Sequence, residues 1–75
     1  MAIAYMLITT EPAKEHIAYN ALCKLAVVDE IFPLFGEYDL IIKVSAIDKD
    51  GLKKKIINKI RPVEGILTIK TLFGY

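Results

Sequence analysis

The sequence is short of the residues from which most catalytic and metal chemistries are built. Cys23 is the only cysteine, so no intrachain disulfide can form, and the chain suits a reducing cytosol. At a helical position, Cys23 reads as a structural thiol. His16 is the only histidine. With no second histidine or cysteine at ligand spacing, a metal site is not expected, and nothing points to a cofactor. No glycine-rich phosphate loop, no Gly-x-Ser-x-Gly elbow and no stacked aromatics of the RNA-binding kind are present. A formal net charge of +1 supplies no field that steers toward nucleic acid. The one charge run, Lys53-Lys54-Lys55, spreads around most of a helix and reads as a solvated face. An acid or a lysine interrupts every stretch approaching the ~20 apolar residues of a membrane span. Met1 leads into a short strand-like run without a basic region, so no signal peptide is expected. These gaps predict a cytoplasmic protein without direct nucleic-acid or membrane contact.

Apolar surface, by contrast, is in excess. Of 75 residues, 55% are hydrophobic, and the mean hydropathy is +0.43. A chain this short makes one domain, residues 1–75, and buries only about 60% of its unfolded surface. The remaining apolar surface needs another cover, and a second copy of the chain is the expected one.

The pattern along the chain gives the element order. Ala2–Thr9 alternates with both faces apolar, as a central strand covered on two sides does. Thr10-Glu11-Pro12 reads as a helix start, with a helix to about Leu25 whose stripe is Ile17, Ala21, Leu22 and Leu25. His16 falls off that stripe and reads as exposed. Val27–Phe35 is a second strand, placed at an edge because Pro33 cannot donate a ladder hydrogen bond. Asp39–Ala46 pairs with it as a hairpin. Asp48 caps a second helix, about Lys49–Arg61, with Leu52, Ile56 and Ile60 recurring every four residues and Ile57 beside them. Pro62 ends that helix, and Gly65 opens the last strand, Ile66–Phe73. The order β-α-β-β-α-β predicts an α+β, ferredoxin-like fold. Its four-stranded antiparallel sheet has strands one and three in the centre and two helices on one face. The open face would show several of Ile3, Ala4, Tyr5, Met6, Ile8, Ile41, Leu67 and Ile69, depending on parity. That patch is too large for a monomer to leave bare, so dimerisation through it is expected.

Phe35–Val44 holds the densest local chemistry. Gly36 suits a turn between strands, because it tolerates positive φ. Glu37, Tyr38 and Asp39 follow it directly, two acceptors and a phenol where a bare turn needs neither. The residues read either as an ordinary hairpin turn or as a site for a small ligand bearing an ammonium group.

Gly36-Glu37-Tyr38-Asp39-Leu40, followed by Ile41-Ile42-Lys43-Val44, resembles the Gly-x-Tyr-Asp-Leu signature of the Lrp/AsnC family, in its effector-binding RAM domain. Val28-x-Glu30-Ile31, Asp48-x-x-x-Leu52 and Pro62-x-x-Gly65-Ile66 with Thr71 match the same module, so the resemblance covers nearly the whole chain. It implies dimers formed face to face, rings of dimers, and an amino acid or related small molecule bound near the turn. Gly36 would then admit close backbone approach, backbone amides would meet the α-carboxylate, and Asp39 would receive the α-ammonium. Glu37, Tyr38 and, from the last strand, Thr71 complete the candidate ligand site. Family regulators carry a helix-turn-helix before this module, whereas here Met1 runs directly into strand one. A stand-alone effector domain that co-assembles with a full-length regulator is therefore the expectation.

Two other readings compete with this one. A dimeric α+β-barrel enzyme, such as a small oxygenase or isomerase, shares the strand order. It would need a polar catalytic residue in its cavity, and only His16, Tyr5 or Tyr19 is on offer. An ACT-like regulatory module binds at a glycine-bearing turn after strand one, but Thr9-Thr10-Glu11-Pro12 has no glycine.

Overall fold

Strict alternation along residues 2–10 and 40–46 sends every even-numbered side chain of two adjacent strands to the same side. In the computed structural model, which describes residues 1–74, these strands form the centre of one sheet. The elements run β1 (Ala2–Thr10), α1 (Glu15–Cys23), β2 (Val28–Pro33), β3 (Leu40–Ala46), α2 (Lys49–Lys55), a π-helical turn (Ile56–Ile60) and β4 (Ile66–Gly74). The strand order is β2-β3-β1-β4, and every neighbouring pair is antiparallel. This is the ferredoxin-like arrangement with Pro33 on an edge strand, as the sequence predicts.

The core lies between this sheet and the two helices. Ala4, Met6, Ile8, Ile42 and Val44 from the strands meet Ala18 and Leu22 of α1 and Leu52, Ile56 and Ile60 of the second helical segment. Register settles which residues remain on the open face. Met6 lies opposite Ile42 and Thr71, and Ile8 opposite Leu40 and Ile69, so Ala4, Met6, Ile8 and Ile69 face the helices. Ile3, Tyr5, Leu7 and Ile41 take the other side, joined by Phe32 of β2 and Leu72 of β4, which lies opposite Tyr5. Tyr5 is 42% exposed, Phe32 55% and Leu72 48%. This apolar face carries only a few polar pairs. Lys43 Nζ meets Glu30 Oε2 at 3.5 Å, and the hydroxyls of Thr9 and Thr68 share a hydrogen bond.

The first helix departs from its predicted limits. Thr10 still belongs to β1, Pro12 and Ala13 form a turn with Ala13 at φ 65°, and the helix begins only at Glu15, without a side-chain cap. Its buried stripe is Ala18 and Leu22, while Ile17 is 43% exposed. The cause is the close approach of α1 to Gly65. Glu11 N–H donates to the Gly65 carbonyl at 2.8 Å. A Cβ added to Gly65 would lie 3.0 Å from the Lys14 carbonyl oxygen and 3.3 Å from the Ala18 Cβ. Only a small residue fits at position 18, and Gly65 has φ +94° as well.

The second helix starts where predicted, with Asp48 Oδ1 accepting from Gly51 N–H at 2.7 Å. Its last turn widens: Arg61 N–H donates to the Ile56 carbonyl five residues back, at 3.0 Å. Ile56 and Ile60 stay buried across that wide turn, and Ile57 is 57% exposed. Four-residue spacing of isoleucines cannot reveal this, because it satisfies an α and a π turn alike. Among the described residues, no helix is long and apolar enough to cross a membrane.

Candidate functional site

The loop joining β2 to β3 is anchored almost entirely through Asp39. Leu34 N–H donates to the Asp39 carbonyl at 2.8 Å, closing the loop on itself. Asp39 N–H donates to the Ile8 carbonyl at 2.9 Å, tying the loop to the end of β1. The side chain adds a third attachment. Thr10 N–H and Thr10 Oγ1 both donate to Asp39 Oδ2, at 2.7 and 2.9 Å, and Thr10 is only 7% exposed. Bonds to an ionised acceptor are stronger than neutral ones, so this carboxylate has a fixed orientation. Oδ1 is left with acceptor capacity to spare.

Asp39 also forms part of the wall of a cavity of about 440 Å³ between α1 and the β2–β3 loop. Pro33, Leu34, Phe35 and Leu40 make its apolar lining on the loop side. Glu15, His16 and Tyr19 contribute from successive turns of α1. The lining includes no lysine or arginine. An apolar chamber with a fixed carboxylate in its wall suits a ligand with an apolar body and a cationic group, and the volume is that of a small-molecule site.

The candidate residues from the turn separate in space. Asp39 lines the cavity, whereas Gly36, Glu37 and Tyr38 are not among its lining residues. Gly36 has φ +123° and open space where a Cβ would be, so its backbone conformation is what calls for glycine. Glu37 is exposed and Tyr38 half-buried. Thr71 lies on the helix side of β4, in a different cavity alongside Phe73 and the second helical segment. Within one chain, Thr71 and the turn do not share a site.

His16 is exposed as its helical phase predicts, yet it lines the cavity with Glu15 and Tyr19. His16 and Tyr19 are on offer in the sequence only as catalytic candidates for a barrel enzyme, and Glu15 and Leu34 are not singled out, because the tertiary approach of α1 to the loop is what assembles them beside Asp39. A single signal was available in the chain: His16 and Tyr19 are three apart and so fall on one helix face. Tyr19 further contacts Cys23, one turn on, and that hydrogen bond together with the nearby thiol's charge raises the phenol's pKa above its ordinary value. Cys23 lies at the end of α1, and its thiol is free and exposed. Among the described residues no group of metal-ligating side chains gathers.

Comparison with known proteins gives a consistent result. The family described as the Lrp/AsnC ligand binding domain matches residues 3–74. An uncharacterised HTH-type transcriptional regulator of Pyrococcus abyssi is 30% identical over 69 residues, which cover 92% of this chain and 44% of the regulator. The chain thus spans less than half the length of that relative. The crystal structure of FFRP-DM1 superposes with a TM-score of 0.91 at 32% identity, covering 100% of both chains. The AsnC structure of E. coli superposes with a TM-score of 0.88 at 28% identity, over 97% of this chain and 50% of that one.

Proposed function

This chain belongs to the Lrp/AsnC ligand binding domain family, and on that premise we propose that it is an effector-binding module that takes a free amino acid in the Asp39 cavity. The observation that carries the reading is the pinned carboxylate on the wall of an apolar chamber of about 440 Å³. An amino acid's ammonium group is received by Asp39 through a charge-assisted bond, and its side chain fills the space among Leu34, Phe35 and Leu40. Backbone N–H groups of the Gly36–Tyr38 segment are the donors nearest in sequence for the α-carboxylate.

The assembly follows from the open face. Two copies bury Ile3, Tyr5, Leu7, Phe32, Ile41 and Leu72 against one another, and the dimers associate further into rings. Thr71 contributes to the amino-acid site only if a neighbouring copy brings it near a turn. Ligand binding and assembly are then linked: whatever the ligand favours in assembly, assembly returns as affinity. The readout is modulation of a transcriptional regulator of the same family through co-assembly, in the cytoplasm and without chemistry on the ligand. The enzyme reading requires a base oriented by a partner. No hydrogen bond among the described residues joins His16 to Glu15, Tyr19 or Asp39.

A thermal-shift scan over the twenty common amino acids tests the proposal. At least one should raise the melting temperature in a concentration-dependent way, with saturation. A flat response to all of them would remove the amino-acid reading.

A further inference from the structure

Beyond the acidic cavity, the fold builds a second one of the opposite charge. It is an open groove between the second helical segment and β4, with a volume of about 270 Å³, lined by Lys53, Ile56, Ile57, Arg61, Thr71 and Phe73. Three observations give this groove the character of a binding site. Two cations, Lys53 and Arg61, line it together with the Thr71 hydroxyl, and no carboxylate does. No ion pair to either cation occurs among the described residues. Both keep their donors for something else.

The second observation is the floor. Ile56 is 4% exposed and belongs to the core, whereas Ile57 is 57% exposed and Phe73 45%. Those exposed apolar surfaces sit beside the charges, as a ligand with an apolar tail and an anionic head requires. The third is the backbone. The cavity is lined from both ends of the π-helical turn, Ile56–Ile60, whose closing bond runs from Arg61 N–H to the Ile56 carbonyl. A π turn gives up regular α geometry, and such turns recur at functional sites. Here the widening sets Arg61, the only arginine in the chain, on the same cavity as Lys53, eight residues earlier.

We infer that this cavity is a binding site for a small carboxylate with a branched or aromatic apolar tail and no ammonium group. The carboxylate takes the Arg61 guanidinium, whose planar fork matches it in two bonds. Lys53 adds charge from the helix, and Thr71 donates its hydroxyl. The tail lies on Ile57 and Phe73. A zwitterion is disfavoured, because its ammonium would face two cations with no acceptor side chain but a hydroxyl. The inference does not depend on amino-acid binding at Asp39, since the two cavities share no lining residue.

The test is titration of the full chain with 4-methylpentanoate, followed by calorimetry and by the backbone NMR shifts of residues 53–61 and 71–73. Acetate and leucine serve as the comparison ligands. Saturable binding of 4-methylpentanoate, with acetate and leucine at least roughly tenfold weaker, is the expected result. Arg61→Gln and Lys53→Gln change exposed residues and should retain the wild-type far-UV spectrum, while each weakens binding about tenfold, the loss typical of one bond to a charged group. Lys24→Gln removes an exposed charge elsewhere and should leave the affinity unchanged. No saturation by wild type at 10 mM ligand (roughly the weakest affinity one such contact would give) would overturn the inference. So would equal binding of acetate, or affinities that neither Arg61→Gln nor Lys53→Gln alters.

Discussion

Removing the Asp39 carboxylate tests how the loop is held, and the structure sets the size of the effect. Asp39 Oδ2 takes two bonds from Thr10, at 2.7 and 2.9 Å, in a part-buried setting. A hydrogen bond to a charged group contributes about 1.5–3 kcal/mol and a neutral one about 1 kcal/mol. In Asp39→Asn the amide oxygen can replace Oδ2, so both bonds survive in weaker form and the loss is about 1–2 kcal/mol. Asp39→Ala leaves the N–H and hydroxyl of the buried Thr10 unpartnered, which costs about 2–4 kcal/mol. A domain of this length has a stability of about 4–11 kcal/mol, so both variants should fold with a clearly lowered midpoint. Urea denaturation at fixed protein concentration measures this. The cycle Thr10→Val, Asp39→Ala and the double variant should show a coupling of about 1 kcal/mol or more, because only the hydroxyl bond is shared. An Asp39→Ala midpoint equal to wild type, or zero coupling, would refute the pinning and with it the pre-set cavity wall.

Leu7→Asp and Tyr5→Asp place a carboxylate on the open face, so sedimentation should show a folded monomer in place of the proposed dimer. Met6→Asp puts the same charge in the core, at a fully buried position, and should unfold the chain; a folded Met6→Asp monomer would reverse the parity. Gly65→Ala combines φ +94° with a Cβ 3.0 Å from the Lys14 carbonyl oxygen and should cost roughly 2 kcal/mol or more in urea denaturation. Cys23→Ala should move the Tyr19 titration, followed by ultraviolet absorbance, back down toward its ordinary value. Because a raised acid pKa means the folded state holds its proton more tightly, that contact's contribution is present below the unfolded pKa of 10.0. It is lost as pH rises through the folded value.

The sheet was legible because its signals are local and redundant. Pro33 marks an edge strand, the two-sided apolar run of β1 marks a centre, and Asp48 marks a helix start. The start of α1 was not legible. Thr10 and Pro12 carry ordinary helix-start chemistry, but Thr10 is held at the end of β1 by its two bonds to Asp39, 29 residues away. The stripe slipped for a related reason: the contact with Gly65 selects Ala18 over the larger Ile17. Face parity could not be chosen while both faces of β1 were apolar. At the site, the Gly36–Asp39 turn stood out, yet only Asp39 of that turn reaches the cavity. Glu15, His16 and Tyr19 join it by tertiary approach alone. Thr71 was expected with the turn, and the chain sets it in a separate cavity.

The most direct test of the central claim is a calorimetric titration of wild type and Asp39→Asn with the amino acid that stabilises the protein most in the thermal-shift scan. The pinned carboxylate predicts one saturable site per chain, weakened in Asp39→Asn by roughly 2 kcal/mol, about thirtyfold, while sedimentation shows the same assembly. Equal affinities in the two proteins would contradict the account, because the cavity would then bind without the group argued to receive the ammonium.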